Sequence, residues 1–234
     1  MKLVDSVTSY YEGFLDIIYP RNCRVCHTAL HKHEYQLCIK CHLLLPVINR
    51  NGPEINEFKS RFWGRVKVEQ CYAYLRYDKS ISIKKILMEI KYKGNKELAE
   101  FLGKCMGECF LENNSGTFDA IIPVPLHPKK EKLRGFNQSE IIAKGFSQSI
   151  GVNLDTQSVI RVKNTKTQTK MDRKERWENV KTIFSVVDQD QIKDKKIVLL
   201  DDVVTTGSTL ESLAETVLKA GASEINFVVL AIAI

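Results

Sequence analysis

Long hydrophobic runs are missing from this chain, and their absence excludes a helical membrane span. The most apolar stretches are interrupted by charge within about ten residues, where a spanning helix needs about 20. The amino-terminal residues carry Lys2, Asp5, Glu12 and Asp16 where a secretory leader needs an unbroken apolar region, so the expected location is the cytoplasm. Two familiar nucleotide signatures are absent as well. There is no GK[ST] phosphate loop and no GxGxxG after any apolar run, which sets aside the common triphosphate and dinucleotide folds. Acidic residues are in the minority, 28 against 35 Lys and Arg, giving a formal charge of +7. That balance suits a polyanion partner and equally suits scattered solvated lysines.

What remains is an ordinary globular composition, 44% hydrophobic and 27% charged over 234 residues. It is enough for one medium domain with a small appendage. Four of the seven cysteines form C-x2-C, eleven residues, C-x2-C: Cys23, Cys26, Cys38 and Cys41. Two such knuckles can aim four thiolates at one Zn2+, and a reducing compartment disfavours the disulfide alternative. With all four positions filled by sulfur no water site stays open, so the metal is expected to be structural. His27, His31, His33 and His42 are close enough in sequence to replace one ligand. Cys105 and Cys109 share helical spacing with Leu98, Phe101, Leu102 and Met106, which reads as a buried helix face without chemistry.

Residues Leu3 to Ile18 repeat with a helical period and predict an amphipathic helix packed on the protein, its polar face carrying acids. The turn-rich stretch Asn49 to Pro53 then divides the chain into an expected helix-plus-cysteine module, 1–50, and a main domain, 51–234. Past that boundary strands and helices alternate. Strands are expected at Val66–Tyr77, Ala120–Val124, near Val159, Lys196–Leu200 and Ile225–Ala231. Helices are expected at Ser80–Tyr92, Lys96–Leu111, near Ser139–Ile150 and Ser208–Ala220. The pattern argues for an α/β fold, a mainly parallel sheet flanked by helices, with ligands at the carboxyl ends of the strands.

The segment IVLLDDVVTTGST, residues 197–209, falls at such an end. Asp201 and Asp202 follow a buried strand, and Thr205, Thr206, Gly207, Ser208 and Thr209 lead into a helix. Small hydroxyl residues and free N–H groups at a helix start make a monophosphate cradle, and glycine lets the backbone come close. Two carboxylates just upstream can accept from a vicinal diol and attract Mg2+. Phosphate and diol at that separation describe a ribose 5-phosphate.

The same residues resemble the phosphoribosyl pyrophosphate loop of type I phosphoribosyltransferases. The order CxxC…CxxC, KYKGNKELA, IPVPLHPKKEKLRGFNQSEIIA, TQTKMDRKERWENV and the loop is similar to the ComF family, ComFC and GntX proteins included, over nearly the whole chain. That resemblance implies a type I phosphoribosyltransferase-like fold with an amino-terminal zinc module, and catalytic roles for Asp201 and Asp202. It implies a pyrophosphate loop at Pro123, Val124 and Pro125 with Arg134 and Gly135 following, beside a basic run of Lys129, Lys130 and Lys132. It also implies a flexible loop, 163–181, whose Lys166, Gln168, Lys170, Arg173, Arg176 and Asn179 meet pyrophosphate or nucleic acid. The implied ligand is phosphoribosyl pyrophosphate or a related ribose phosphate with Mg2+. The implied role is cytoplasmic handling of single-stranded DNA in natural transformation beside a helicase-like partner. The alternative is an active transferase, amidophosphoribosyltransferase-like, on a small nitrogen acceptor, although no acceptor pocket or glutaminase domain is legible.

Overall fold

The computed structural model describes residues 20–77, 81–112, 116–162 and 183–234. The expected helix at Leu3–Ile18 and the loop residues Lys166, Lys170, Arg173 and Arg176 lie outside them. Six strands are described: β1 (Gln70–Tyr77), β2 (Ala120–Pro123), β3 (Val159–Arg161), β4 (Phe184–Val186), β5 (Lys196–Val204) and β6 (Glu224–Ala233). Four form one sheet in the order β1-β6-β5-β2 with every neighbour parallel, while β3 and β4 pair antiparallel as a separate ribbon.

Both faces of the sheet are covered, so its central strands read as nearly continuous apolar runs. Alternate residues serve two cores. Tyr72, Tyr74, Val198, Leu200, Val228 and Leu230 face one side, packed with α3 (Ile81–Tyr92), α4 (Lys96–Leu111) and α6 (Gln138–Ile150). Ala73, Ile197, Leu199, Phe227 and Val229 face the other, packed with α2 (Pro53–Ser60), α7 (Ser208–Lys219) and the β3–β4 ribbon. Between α4 and α6 the backbones nearly touch: a Cβ at Gly103 would overlap the Ile142 carbonyl, and one at Gly145 the Glu100 carbonyl. This close crossing sets the amino end of α6 against the carboxyl ends of β2 and β5.

The cysteine segment does not stand apart from this body. Cys23, Val25, Leu37, Cys38 and Leu45 share a core with Leu98, Leu102 and Ile86, and Lys85 Nζ donates to the Val25 carbonyl at 2.9 Å. A short helix, α1 (Ile39–Leu43), follows Cys38, whose sulfur accepts from the Cys41 amide. Beyond it, Ile48 donates to the Tyr74 carbonyl and Arg76 to the Pro46 carbonyl, so the chain seals part of the free edge of β1.

Several boundaries differ from expectation for visible reasons. The turn-like Gly52-Pro53 pair starts α2, with proline in the first turn where its missing N–H costs nothing. The run PKKEKLR is a helix too, α5 (Pro128–Arg134), capped by His127 and stopped by Gly135 in the left-handed region. Strand β1 begins at Gln70 rather than Val66, because the Val66 amide still bonds the Phe62 carbonyl in the turn after α2. Strand β5 runs four residues past Leu200, because β6 extends beside it: Asp201 pairs with Val229 and Val204 with Ile232.

Candidate phosphoribosyl site

The two acids sit near the end of β5, still in the ladder, and they are treated differently. Asp201 is half-buried, and its Oδ1 accepts from Ser139 Oγ and from the Asp202 amide, both at 2.9 Å. Withdrawal from water, reinforced by the neighbouring Asp202 charge, pushes the Asp201 carboxyl up to about 7, against the pull of those two donors and of Lys91. Asp202 holds an ion pair with Lys91 Nζ at 2.9 Å, and its Oδ1 accepts from the Val203 amide. Arg161, half-buried and 5.4 Å from the Phe184 ring, lies close enough for its charge to interact with Asp201.

Beyond Val204 the chain turns into α7. Gly207 is its amino cap at φ +82 and has no side chain to cap the helix, so the first-turn amides meet only a long bond, 3.5 Å, from Ser208 N–H to Thr206 Oγ1. Thr205, Thr206 and Ser208 are exposed and Thr209 half-buried, with the Thr206 and Ser208 hydroxyls 3.1 Å apart. An uncapped helix start lined by small hydroxyls is an anion-binding arrangement. The glycine has a second reason to be there. A Cβ at Gly207 would lie 2.7 Å from Phe62, so packing from below demands it as much as any ligand above. Arg61 fixes the loop from behind, donating to the Thr205 carbonyl and, at 2.6 Å, to the Ala233 carbonyl.

The proline loop is brought to the same end. Val124 donates to the Leu200 carbonyl at 2.8 Å, prolonging the β2–β5 ladder, and Asn137 Nδ2 donates to the Val124 carbonyl at 3.1 Å. Arg134 donates to Gln138 Oε1 at 2.7 Å. The other amide atom, Gln138 Nε2, is buried and has no hydrogen-bond partner among the described residues. Pro125 and Lys130 are half-buried; Lys129, Lys132 and Gly135 are exposed on or beside α5. Sequence reasoning assigns no part to Lys91, Ser139 or Arg161, although Lys91 opens KYKGNKELA and Ser139 lies in GFNQSE.

At the other end of the chain, the sulfurs of Cys23, Cys26, Cys38 and Cys41 all lie within 4.8 Å of one another, with Cys26 and Cys38 3.6 Å apart. Tetrahedral thiolates at about 2.3 Å from Zn2+ are about 3.8 Å apart, so the cluster fits that ion. Burial and the adjacent sulfurs push the Cys41 thiol up, whereas hydrogen bonds from Thr28 bring Cys26 down to about 6. A cation at the centre removes the conflict by taking all four as thiolates.

Residues 137–233 match the phosphoribosyl transferase domain family, a span that includes both acids and the loop after them. Competence protein F of Haemophilus influenzae is 28% identical over 216 residues, 87% of this chain and 93% of that protein. The DNA utilization protein YhgH of Salmonella typhi is 30% identical over 145 residues, and the match spans 63% of that relative. Competence protein ComFC of Bacillus subtilis is 27% identical over 139 residues, 59% of this chain and 55% of that one. Among solved structures, an allosteric regulatory enzyme of purine biosynthesis is similar at a TM-score of 0.43 and 18% identity, over 61% of this chain and 29% of that one. The chain thus carries four clustered cysteines ahead of a stretch similar to the phosphoribosyl transferase domain family, and it is similar to competence protein F along most of both chains.

Proposed function

We propose that the protein binds phosphoribosyl pyrophosphate, or a related ribose 5-phosphate, and serves cytoplasmic handling of single-stranded DNA during natural transformation. The observation that carries the ligand is the continuity of Asp201 and Asp202 with an uncapped helix start at Gly207 and Ser208. The 5-phosphate would take the N–H groups and hydroxyls of Thr205 to Thr209, and the diol the two carboxylates. Lys91 must then share or release Asp202. The buried donor Gln138 Nε2, beside Val124, Pro125 and Arg134, suits a pyrophosphate oxygen. Asp201 and Asp202 are the hard-oxygen ligands that would hold Mg2+ with the substrate, and that ion supplies charge neutralisation to the pyrophosphate. Zn2+ on the four cysteines is structural. The DNA role follows the names of the relatives, competence and DNA utilization, and the charge of +7. Lys166, Lys170, Arg173 and Arg176 are its expected phosphate contacts, a helicase-like protein its expected partner, and no membrane insertion is involved. No helix among the described residues is long and apolar enough to cross a membrane.

One feature favours a second reading, an active transferase on a nitrogen acceptor: Asp201, raised to about 7, can take a proton near neutral pH. Calorimetry of the pure protein tests the ribose site, which both readings share, and the DNA contact, which only the first requires. Phosphoribosyl pyrophosphate with Mg2+ should bind, and Asp202→Asn should weaken it roughly ten- to a hundredfold. Single-stranded DNA, titrated separately, should lose affinity and salt dependence in Arg173→Ala with Arg176→Ala. No heat with the ribose ligand sinks the site, and an unchanged double variant sinks the DNA contact.

A further inference from the structure

A cavity lies at the end of the sheet opposite the ribose-phosphate loop, where β1 and β6 begin. Its volume is about 180 Å³, and Arg50, Lys59, Tyr72, Phe110, Phe118 and Asn226 are among its lining residues. Because all four strands are parallel, this is the amino end, and none of the ribose-phosphate loop contributes to it.

Asn226 is the anomaly. It stands 1% exposed in a strand that otherwise reads IxFVVLAIA, at the position paired with Gln70. Its Nδ2 donates to Glu224 Oε1 at 2.9 Å, which fixes the amide and leaves Oδ1 with no donor among the described residues. A buried carbonyl left unmatched is costly, and an apolar residue such as leucine, branched in the same way, would avoid that cost. The cavity beside it is walled by rings: Tyr72 stands edge-on to Phe110 at 5.1 Å, and Phe118 follows at 5.9 Å. Two cations border it. Arg50 is close enough to Tyr72 for its charge to act on the hydroxyl, and Lys59 Nζ donates to the Glu69 carbonyl at 2.7 Å. Cys71 also lines the cavity, but burial pushes its thiol up to about 12, so the pocket is built for binding and not for thiolate chemistry.

We propose that this cavity takes one nucleobase of a nucleotide, its N–H edge donating to Asn226 Oδ1, its ring among Tyr72, Phe110 and Phe118, and its phosphate at the rim beside Arg50 and Lys59. The volume suits that division, being below the roughly 300 Å³ of the smallest drug-sized pockets: a ring enters and the phosphate stays outside. Base stacking on aromatic side chains with cations along the backbone is how unpaired nucleotides are held generally. The nucleotide can be free or part of a single strand.

Titration of the full chain with the four 5′-deoxynucleoside monophosphates tests this, in the presence of excess ribose 5-phosphate to block the other site. Binding should persist, should weaken at least tenfold for the nucleosides lacking phosphate, and should weaken at least tenfold in Asn226→Leu. Asp202→Asn should leave it unchanged, so that failure here and failure of the ribose-phosphate site are told apart. Arg50→Ala, in a turn outside the strands, is the second variant should Asn226→Leu not fold. An oligodeoxynucleotide weakened by the same substitutions identifies the source as a strand; one unaffected by them identifies a free nucleotide. Displacement of the monophosphates by ribose 5-phosphate, or wild-type affinity in Arg50→Ala and Asn226→Leu, overturns the proposal and leaves Asn226 satisfied by a water only.

Discussion

Replacing Asp201 by asparagine should make the protein more stable at pH 8, and progressively less so as pH falls towards 4. The side chain keeps its shape, and an amide oxygen can still accept from Ser139 Oγ and the Asp202 amide, but it cannot ionise. In the folded protein the carboxyl is raised from 3.8 to about 7, so the native state holds a proton that the unfolded chain gives up. The sign follows from linkage: stability from this group is complete below the unfolded value and is lost as pH rises through the folded one. A displacement of about three pH units corresponds to about 4 kcal/mol, reached near pH 8. Asn at this position removes that loss, and the asparagine variant should gain up to about 4 kcal/mol there, roughly 8 to 16 °C in melting temperature for a chain of this size. Urea unfolding of both proteins at pH 5, 6, 7 and 8, in buffer free of divalent ions, gives the difference directly, since other titrating groups cancel. Equal stabilities at pH 8, or a difference independent of pH, would show that Asp201 is ionised at no cost and that its burial has been misread. A gain in stability accompanied by lost ligand affinity is the usual mark of a residue kept for function.

Lys91→Met should leave Asp201 and Asp202 without their ammonium partner, lower stability at pH 8 by about 1 to 3 kcal/mol, and steepen the pH dependence; the same urea series measures it. Gly207→Val should cost about 2 kcal/mol or more in a denaturant midpoint, because φ +82 excludes a branched residue and Phe62 already fills the space. One zinc per chain should be found by metal analysis of protein prepared without chelator. Cys38→Ser should release it and lower the melting temperature measurably, since Cys38 packs in the same core as Leu98 and Leu102; a zinc-free wild type refutes the assignment.

The parallel sheet and the loop at its end were legible because they rest on local chemistry. A strand buried on both faces must be apolar throughout, and a run of small residues with one glycine after it reads as the turn into the next helix. Lys91 and Ser139 were not, because an ion pair between residues 91 and 202 and a hydrogen bond between 139 and 201 depend on where α3 and α6 cross the sheet. Gly207 was read from the ligand side alone; Phe62, 145 positions earlier, has no local signal that it lies beneath. The segment PKKEKLRG was read as a run of charge, although a proline at the first helical position and a closing glycine are helix punctuation that could have been used.

The strand order has a consequence for how the chain is made. β6 is the last of the described strands in chain order, yet it lies inside the sheet, with β1 on one side and β5 on the other. Until residues 224–233 leave the ribosome, β1 has no neighbour in the main sheet, and the β5–β2 pair is open on its inner edge. Gln70 and Asn226, its partner, are 156 positions apart, so closing the sheet is a long-range event of the kind that folds slowly. During that interval the apolar rows of β1 and β5 are exposed to other chains. A nascent chain of this topology stays open to such contacts until β6 has been made, and a truncation that removes β6 should aggregate rather than yield a smaller folded domain.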